Sequence, residues 1–136
     1  MSTNNYRKSI TEIKVRGYHL DIYQHVNNAR YLEFLEEARW SHYDGLEGII
    51  SLQKEKLGFV VVNINISYVN QATNGDTISI ATQIKQVNEK TIIYEQIISI
   101  KGTEKVVVKA DITAVIVDMK LGKATKLTPE ILKHLD

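Results

Sequence analysis

Most of the information about this chain lies in one segment, Leu20-Asp21-Ile22-Tyr23-Gln24-His25-Val26-Asn27-Asn28-Ala29-Arg30-Tyr31-Leu32. It places an acid, a histidine and two asparagines in a turn that leads directly into a helix. The start of a helix offers unpaired backbone N–H groups and a partial positive charge. A carboxylate beside it can therefore act on a carbonyl that the same terminus polarises. The segment predicts acyl-transfer chemistry.

The helix that follows is predicted over about residues 28–44 from its apolar spacing. Its apolar side carries Tyr31, Leu32, Phe34, Leu35, Ala38 and His42, and its polar side carries Arg30, Glu33, Glu37 and Asp44. Asn27 or Asn28 is the expected N-cap, and Gly45 the expected stop.

Strand patterns surround this helix. Upstream, Ile13 and Val15 alternate with charged residues before a turn at residues 17–24. Downstream, a short helical or irregular connection at residues 51–57 precedes four segments of period two, at residues 60–68, 78–85, 91–100 and 106–116. Turn signals at 74–76, 88–90 and 101–103 separate them, and Thr128-Pro129-Glu130 opens a short C-terminal helix.

Four consecutive strands with short turns exclude parallel crossovers, so the sheet is predicted to be an antiparallel meander with the long helix on its concave face. The fold class is α+β. Pro129 is the only proline, and no linker, repeat or low-complexity stretch interrupts the chain. Residues 1–136 are therefore predicted to form a single domain.

Composition excludes several classes of function. The 136 residues carry 17 Lys plus Arg against 16 Asp plus Glu, which indicates neither a nucleic-acid footprint nor a polybasic membrane patch. With no cysteine and four scattered histidines, neither disulfides, thiolate nucleophiles nor a metal site is expected. The N-terminal residues 1–8 lack an apolar signal core, and no apolar run is long enough to cross a bilayer. We expect a cytoplasmic protein with a small-molecule partner.

A family resemblance rests on the segment from Asp21 to Leu32 together with Glu36-Glu37-Ala38-Arg39 one turn further along the helix. The chain resembles the thioesterases of the hotdog fold, in particular the 4-hydroxybenzoyl-CoA thioesterase-like and acyl-ACP thioesterase-like branches. The resemblance implies a long central helix wrapped by an antiparallel sheet of about five strands. It also implies a homodimer or homotetramer with active sites where subunits meet, an acyl-CoA or acyl-carrier thioester as substrate, and no cofactor.

In this family the acid at the position of Asp21 is the catalytic carboxylate, which either attacks the thioester or activates water. Because a thiol leaves readily, one well-placed carboxylate of ordinary basicity suffices. We take the backbone amides of Val26, Asn27 and Asn28 as candidates for the oxyanion hole, where each donor contributes roughly 3–4 kcal/mol in comparable enzymes. The alternative is that Asp21 only caps its turn.

The other candidate residues have two interpretations each. His25 either orients Asp21, acts as a base or binds the thioester carbonyl, or it bonds only to the loop backbone. Asn27 and Asn28 suit capping as well as substrate contact. Tyr31 is either a substrate contact in an acyl tunnel or a core residue. Glu36 either lies near the substrate cleft or pairs with Arg39 on the helix surface.

The favoured function is an acyl-CoA thioesterase that releases free acid and thiol. An acyl-ACP thioesterase is an alternative, although plant-type members with the same His-Val-Asn-Asn run carry a functional asparagine where this chain has Tyr23. A hotdog hydratase or dehydratase and a noncatalytic acyl-binding module are the remaining alternatives. Chain length, headgroup and the CoA nucleotide contacts are not predicted by the sequence.

Overall fold

The structure, a computed structural model, describes residues 6–136; residues 1–5, which carry part of the localisation prediction, lie outside the described residues. Within this range the helices are α1 (Asn28–His42), α2 (Gly48–Lys54) and α3 (Pro129–Leu135). The strands are β1 (Lys8–Lys14), β2 (Leu57–Tyr68), β3 (Thr77–Val87), β4 (Thr91–Ile100), β5 (Val106–Asp118) and the two-residue β6 (Lys123–Ala124). The predicted α+β class is confirmed.

Helix α1 begins where its cap residue predicts. The Asn27 side chain accepts the backbone N–H of Ala29 at 2.8 Å, which satisfies one of the free donors at the helix start. The helix ends at His42, two residues before the predicted end, because the N–H of Tyr43 already bonds to a carbonyl three residues back. Gly45 follows in the left-handed region, with φ of 71°.

The sheet is fully antiparallel, but its strand order corrects the predicted meander. The order is β1-β3-β4-β5-β2, with β6 paired to β5. Only β3, β4 and β5 form a meander, whereas β2 pairs with β5 at the edge of the sheet. The turn signal at residues 74–76 does not close a hairpin, because its backbone pairs with Val15 at the end of β1. Residues 69–76 therefore carry the chain across the sheet.

A β-bulge in β2 changes which of its side chains face the core, so the predicted strict alternation is wrong for this strand. The pairing of β2 with β5 shifts between Val61 and Asn63. An extra residue in one strand reverses the alternation beyond it. Phe59 and Val61 therefore pack against the core on one side of the bulge and Ile64 on the other. The strict alternation predicted for residues 60–68 would place Val62 on the same face as Ile64, but Val62 is 56% exposed.

Helix α1 packs on one face of the sheet, and polar bonds fix it there. The buried side chain of Gln96, on β4, accepts from Arg39 at 3.0 Å and donates to the carbonyl of Leu35 at 3.0 Å. Beyond the C-terminal end of α1, Gly48 begins α2 and lies so close to α3 that a Cβ there would overlap the carbonyl of His134. The two bonds of Gln96 hold α1 against β4.

The lengths of the helices bear on the prediction that no segment crosses a bilayer. The longest described helix, α1, has 15 residues, and none of the helices in residues 6–136 is long and apolar enough to span a bilayer. The cytoplasmic location itself stays a prediction.

Candidate functional site

The loop of residues 20–27 forms a tight structure that presents Asp21 next to the start of α1. Leu20 and Val26 form an isolated antiparallel bridge. Within it the N–H of Asp21 donates to the carbonyl of His25 at 2.9 Å, and the N–H of Gln24 donates to the carbonyl of Asp21 at 3.1 Å. Gln24 adopts φ of 65°, a conformation that costs energy for a residue other than glycine and persists only where the surroundings fix it.

The surroundings that fix this loop belong to the β2–β3 connection. The N–H of Val26 donates to the carbonyl of Ala72 at 2.9 Å, and the hydroxyl of Thr73 donates to the carbonyl of Gln24 at 2.7 Å. The hydroxyl of Tyr31 accepts the N–H of Ala72 at 3.1 Å. The crossing of residues 69–76, which the sequence does not predict, therefore builds one wall of the candidate site.

Tyr31 therefore stabilises the wall of the site through its hydrogen bond to Ala72. Its side chain is 2% exposed, and burial raises the pKa of its hydroxyl, so the group stays protonated at physiological pH. The described contacts place it in the core under the loop, which is the core interpretation of this residue.

Asp21 fills the turn-capping role that the sequence offered, and its catalytic role stays a prediction. Its Oδ1 accepts the backbone N–H of Tyr23 at 2.9 Å and that of His25 at 3.4 Å, which is the predicted turn-capping role. Its Oδ2 has no hydrogen-bond partner among residues 6–136. One oxygen thus fixes the orientation of the carboxylate, and the other remains available to a bound molecule.

Two of the three backbone N–H groups predicted as oxyanion donors are already hydrogen-bonded within the protein. The N–H of Val26 is bonded to Ala72, and that of Asn27 donates to the carbonyl of His19 at 2.9 Å. Neither is available to a substrate unless a bond within the protein breaks. The N–H of Asn28, the first residue of α1, has no acceptor in the described part of the chain. It lies at the positive end of a 15-residue helix.

Asp21 and Asn28 line the same cleft, which we call the Asp21 cleft. Its volume is about 700 Å³, within the usual range for ligand sites. The partly exposed His25 also lines it, and no hydrogen bond of the imidazole occurs within residues 6–136. The remaining lining residues are Gln24, Val26, Tyr68, Val69, Asn70, Gln71, Thr73, Asp76 and Lys105.

Glu36 does not lie in the Asp21 cleft of its own chain. It lines a second depression of about 820 Å³ beside the C-terminal half of α1, which we call the apolar cleft. Its Oε2 accepts the indole N–H of Trp40 at 3.4 Å, and the predicted pairing with Arg39 is replaced by the bond of Arg39 to Gln96. The apolar side chains of this cleft are Trp40, Leu46, Ile49, Ile50, Leu52, Leu57, Phe59 and Val61.

The lining residues of the Asp21 cleft from position 68 onward lie far from the segment that suggested the site, among them Tyr68 and Lys105. Tyr68, the last residue of β2, donates its hydroxyl to the carbonyl of Asn28 at 3.4 Å. Lys105, in the β4–β5 turn, is the basic side chain of the lining set. Neither has a local motif, because both reach the cleft only through the strand order of the sheet.

Comparison with known proteins identifies the family. The pattern of the thioesterase-like superfamily matches residues 15–135. The chain belongs to this superfamily. It is 51% identical over 129 residues, 93% of this chain and 96% of the relative, to the long-chain acyl-CoA thioesterase FadM of Escherichia coli K12.

Solved structures support the same assignment. The crystal structure of the probable thioesterase YbaW from Escherichia coli is similar with a TM-score of 0.89 and 48% identity, covering 93% of this chain and 95% of that one. A 1,4-dihydroxy-2-naphthoyl-CoA thioesterase from Synechocystis has a TM-score of 0.79 at 19% identity, over 95% of this chain and 96% of that one, which shows the fold alone. The predicted hotdog fold and the predicted enzyme class, a thioester hydrolase of this superfamily, are confirmed.

Proposed function

We propose that this chain is an acyl-CoA thioesterase that uses water to cleave an acyl thioester into a free acid and CoA, with no cofactor. The observation that carries the proposal is that one cleft contains the Oδ2 of Asp21 and the N–H of Asn28 at the start of α1, neither of which has a hydrogen-bond partner within residues 6–136. The identity of 51% to a long-chain acyl-CoA thioesterase supports the substrate class.

In the proposed reaction the thioester carbonyl oxygen accepts the N–H of Asn28, which stabilises the negative charge that develops on it. Asp21 then follows one of two routes. As a general base it takes a proton from water, the resulting hydroxide attacks the carbonyl carbon, the C–S bond breaks, and the proton passes to the leaving thiolate. As a nucleophile it forms a mixed anhydride with release of the thiolate, and water hydrolyses the anhydride.

His25 completes the proposed site as a second polar group. Its imidazole lines the Asp21 cleft, and only its backbone N–H is bonded to the Asp21 carboxylate, at 3.4 Å. The side chain is therefore open to the substrate, and we assign it a hydrogen bond to the thioester or to the attacking water. Asn27 acts as the helix cap in this scheme.

The sheet edge supports a homodimer. Strand β2 has 12 residues, contains no charged residue and, among the residues that the structure describes, has no neighbouring strand on one edge. The opposite edge strand, β1, has 7 residues and carries Lys8, Glu12 and Lys14. Charged, short edge strands resist further pairing, whereas long uncharged ones invite it. We therefore propose that two copies join through β2; a homotetramer would combine two such dimers.

The test is hydrolysis of a panel of acyl-CoAs by wild type and Asp21→Asn. The chain has no cysteine, so a thiol reagent reports released CoA without background from the protein. We expect kcat to fall about 100-fold or more in the variant, the usual loss of a positioned base. Equal thiol release by both proteins would refute the role of Asp21, and consumption of an enoyl-CoA without thiol release would indicate a hydratase.

A labelled-water experiment identifies one form of the nucleophile route. In a single turnover in H₂¹⁸O, the general-base route places the label directly in the acid product. The nucleophile route attaches an oxygen of Asp21 to the acyl group. Attack of water on the Asp21 carbonyl of the anhydride then gives unlabelled acid and labelled protein, whereas attack on the acyl carbonyl labels the acid, as the general-base route does.

A further inference from the structure

The turn between β5 and β6 presents two large apolar side chains to solvent. Met119 is 63% exposed and Leu121 is 71% exposed. The turn itself is short and hydrogen-bonded, because the N–H of Gly122 donates to the carbonyl of Asp118 at 2.7 Å and Gly122 adopts φ of 67°. Exposed apolar side chains that lie together mark surfaces which contact another protein or a membrane.

Exposed lysines surround this turn. Lys120 lies inside it and Lys123 directly follows it. The N–H of Met119 donates to the carbonyl of Lys56 at 2.9 Å, which places the residue before β2 beside the turn. Lys54, the last residue of α2, is two positions away from Lys56. We call this surface the hairpin patch; it consists of Lys54, Lys56, Met119, Lys120, Leu121 and Lys123.

The lysines of the hairpin patch give it a local positive charge. None of the four forms an ion pair with another residue within 6–136. The same segments, residues 54–56 and 118–123, contain only two acids, Glu55 and Asp118. The Oδ1 of Asp118 is occupied within the turn, where it accepts the N–H of Lys120 at 2.9 Å and that of Leu121 at 3.1 Å. The balanced composition of the whole chain does not reveal this cluster, because net charge says nothing about how charges are distributed.

The hairpin patch also adjoins the apolar cleft. The Sδ of Met119 lies 3.0 Å from the position that a Cβ on Gly58 would occupy, and Gly58 lines that cleft. Ile50, which is 53% exposed, and Leu46, which is 39% exposed, lie on the same cleft. The exposed apolar surface of the turn therefore continues toward the cleft and does not end at Met119.

We propose that the hairpin patch docks on the surface of an anionic lipid bilayer, with Met119 and Leu121 inserted at the headgroup level and the four lysines on lipid phosphates. Lysine suits this position because its apolar stem lies along the hydrocarbon boundary while its ammonium group stays in the polar layer. Each lysine near an anionic leaflet raises the affinity about 5-fold. A bilayer fits a projecting turn better than a protein partner does, since strong protein contacts concentrate in well-packed pockets.

Docking gives the protein a location that its catalytic residues do not specify. A thioester with a long hydrocarbon chain is an amphiphile and collects at bilayer surfaces, so a docked enzyme meets it there. The hairpin patch shares no residue with the Asp21 cleft. The inference therefore goes beyond the proposed function and does not depend on the role of Asp21.

Vesicle co-sedimentation of the full chain tests the role of the lysines. We expect binding to vesicles of equal parts phosphatidylglycerol and phosphatidylcholine to be about 10-fold tighter or more than binding to phosphatidylcholine alone, and to weaken at high salt. Lys120→Glu/Lys123→Glu should lose about 10-fold or more of this affinity. Lys8→Glu/Lys14→Glu is the matched control, because it changes the net charge equally at exposed positions of β1, three strands from β5.

Tryptophan fluorescence tests the insertion of the apolar side chains. The chain has one tryptophan, so Trp40→Phe provides a silent background. In this background we expect the emission of the Leu121→Trp variant to move to shorter wavelength on anionic vesicles and to be quenched by brominated lipid. The emission of Ile10→Trp, at a 56% exposed position of β1, should do neither.

The outcomes separate this inference from the proposed function. Absence of binding to anionic vesicles by wild type, or equal losses in the two lysine variants, would overturn the docking surface. An unshifted emission of the Leu121→Trp variant on bound vesicles would overturn the insertion. Lysine-dependent binding to a soluble acyl carrier protein without vesicle binding would assign the hairpin patch to an acidic protein instead. Full activity of Asp21→Asn would refute the catalytic proposal and leave the docking surface intact, because vesicle binding is measured without turnover.

Discussion

The Oδ1 atom of Asp21 accepts the backbone N–H of Tyr23 at 2.9 Å, and this bond ties the proposed catalytic group to the shape of its own loop. The structural role of the Asp21 carboxylate in the loop and its proposed catalytic role can be separated by the choice of substitution. Asparagine keeps an acceptor oxygen at this position but has no negative charge, whereas alanine loses both.

We therefore expect Asp21→Asn and Asp21→Ala to lose activity alike, while only Asp21→Ala loses stability, by about 1 kcal/mol for the hydrogen bonds removed. Chemical denaturation measures the free energy of unfolding, and thiol release measures the rate. Equal stability of the two variants would show that the Oδ1 contacts contribute nothing to the loop.

Stability should fall on acidification because of His42. Burial, with nearby Arg7 as a second cause, lowers the pKa of this imidazole from 6.5 to about 4. Between about pH 4 and pH 6.5 the imidazole of His42 binds a proton in the unfolded chain but not in the folded chain. The stabilisation is complete above about pH 6.5, and we expect the free energy of unfolding to drop by about 3 kcal/mol as the pH falls to 4.

Denaturation curves at a series of pH values in wild type and His42→Gln provide the test. The slope between pH 6.5 and 4 should be smaller in the variant. Part of it should persist, because burial also lowers the pKa of His19. The same slope in both proteins would mean that folding does not lower the pKa of His42.

Lys105 should contribute to CoA affinity, since it is the basic side chain that lines the Asp21 cleft and CoA carries phosphates. We expect Lys105→Ala to raise KM for acyl-CoA about 5-fold, equivalent to ~1 kcal/mol, with little change in kcat. The effect should shrink at high salt and vanish with an acyl-pantetheine substrate that lacks the nucleotide.

Lys109→Ala is the matched control, because Lys109 is an exposed lysine on the neighbouring strand outside both clefts. A rise in KM that is as large for acyl-pantetheine as for acyl-CoA would contradict a phosphate contact.

The proposed dimer predicts different effects of charge at the two sheet edges. Val62 on β2 and Ile10 on β1 are both 56% exposed. We expect Val62→Lys to weaken dimerisation at least 10-fold, because the strands that meet would both carry the added charge. Ile10→Lys should leave it unchanged. Sedimentation equilibrium over a range of concentrations measures both, and identical behaviour would exclude β2 as the interface.

Features that depend on neighbouring residues were readable from the sequence. The Asn27 cap and the Thr128 cap of α3, which accepts the N–H of Ile131 at 3.2 Å, follow from local hydrogen bonds. The apolar face of α1 follows from helical spacing, except that Leu32, predicted to lie on it, is 38% exposed. The resemblance of the segment around Asp21 also pointed to the correct superfamily, because that segment is contiguous in the chain.

Features that depend on contacts between residues distant in the chain could not be predicted from the sequence. The turn at residues 74–76 has the composition of a hairpin, yet the path of β2 to the far edge of the sheet is set by the packing of the whole domain. The loss of Val26 as an oxyanion donor results from its bond to Ala72, 46 positions away. The position of Glu36 away from Asp21 follows from the length of α1, since residues two turns apart on a helix reach different clefts.

The bond between Thr73 and Gln24 has a consequence for the order in which the protein matures. The left-handed backbone conformation at Gln24 depends on the hydroxyl of Thr73, a residue that the ribosome incorporates about fifty residues later. A nascent chain that already contains α1 therefore still lacks the partner that shapes the loop before it. Catalytic competence should appear only after synthesis has passed the β2–β3 crossing, and so should trail the first helical structure.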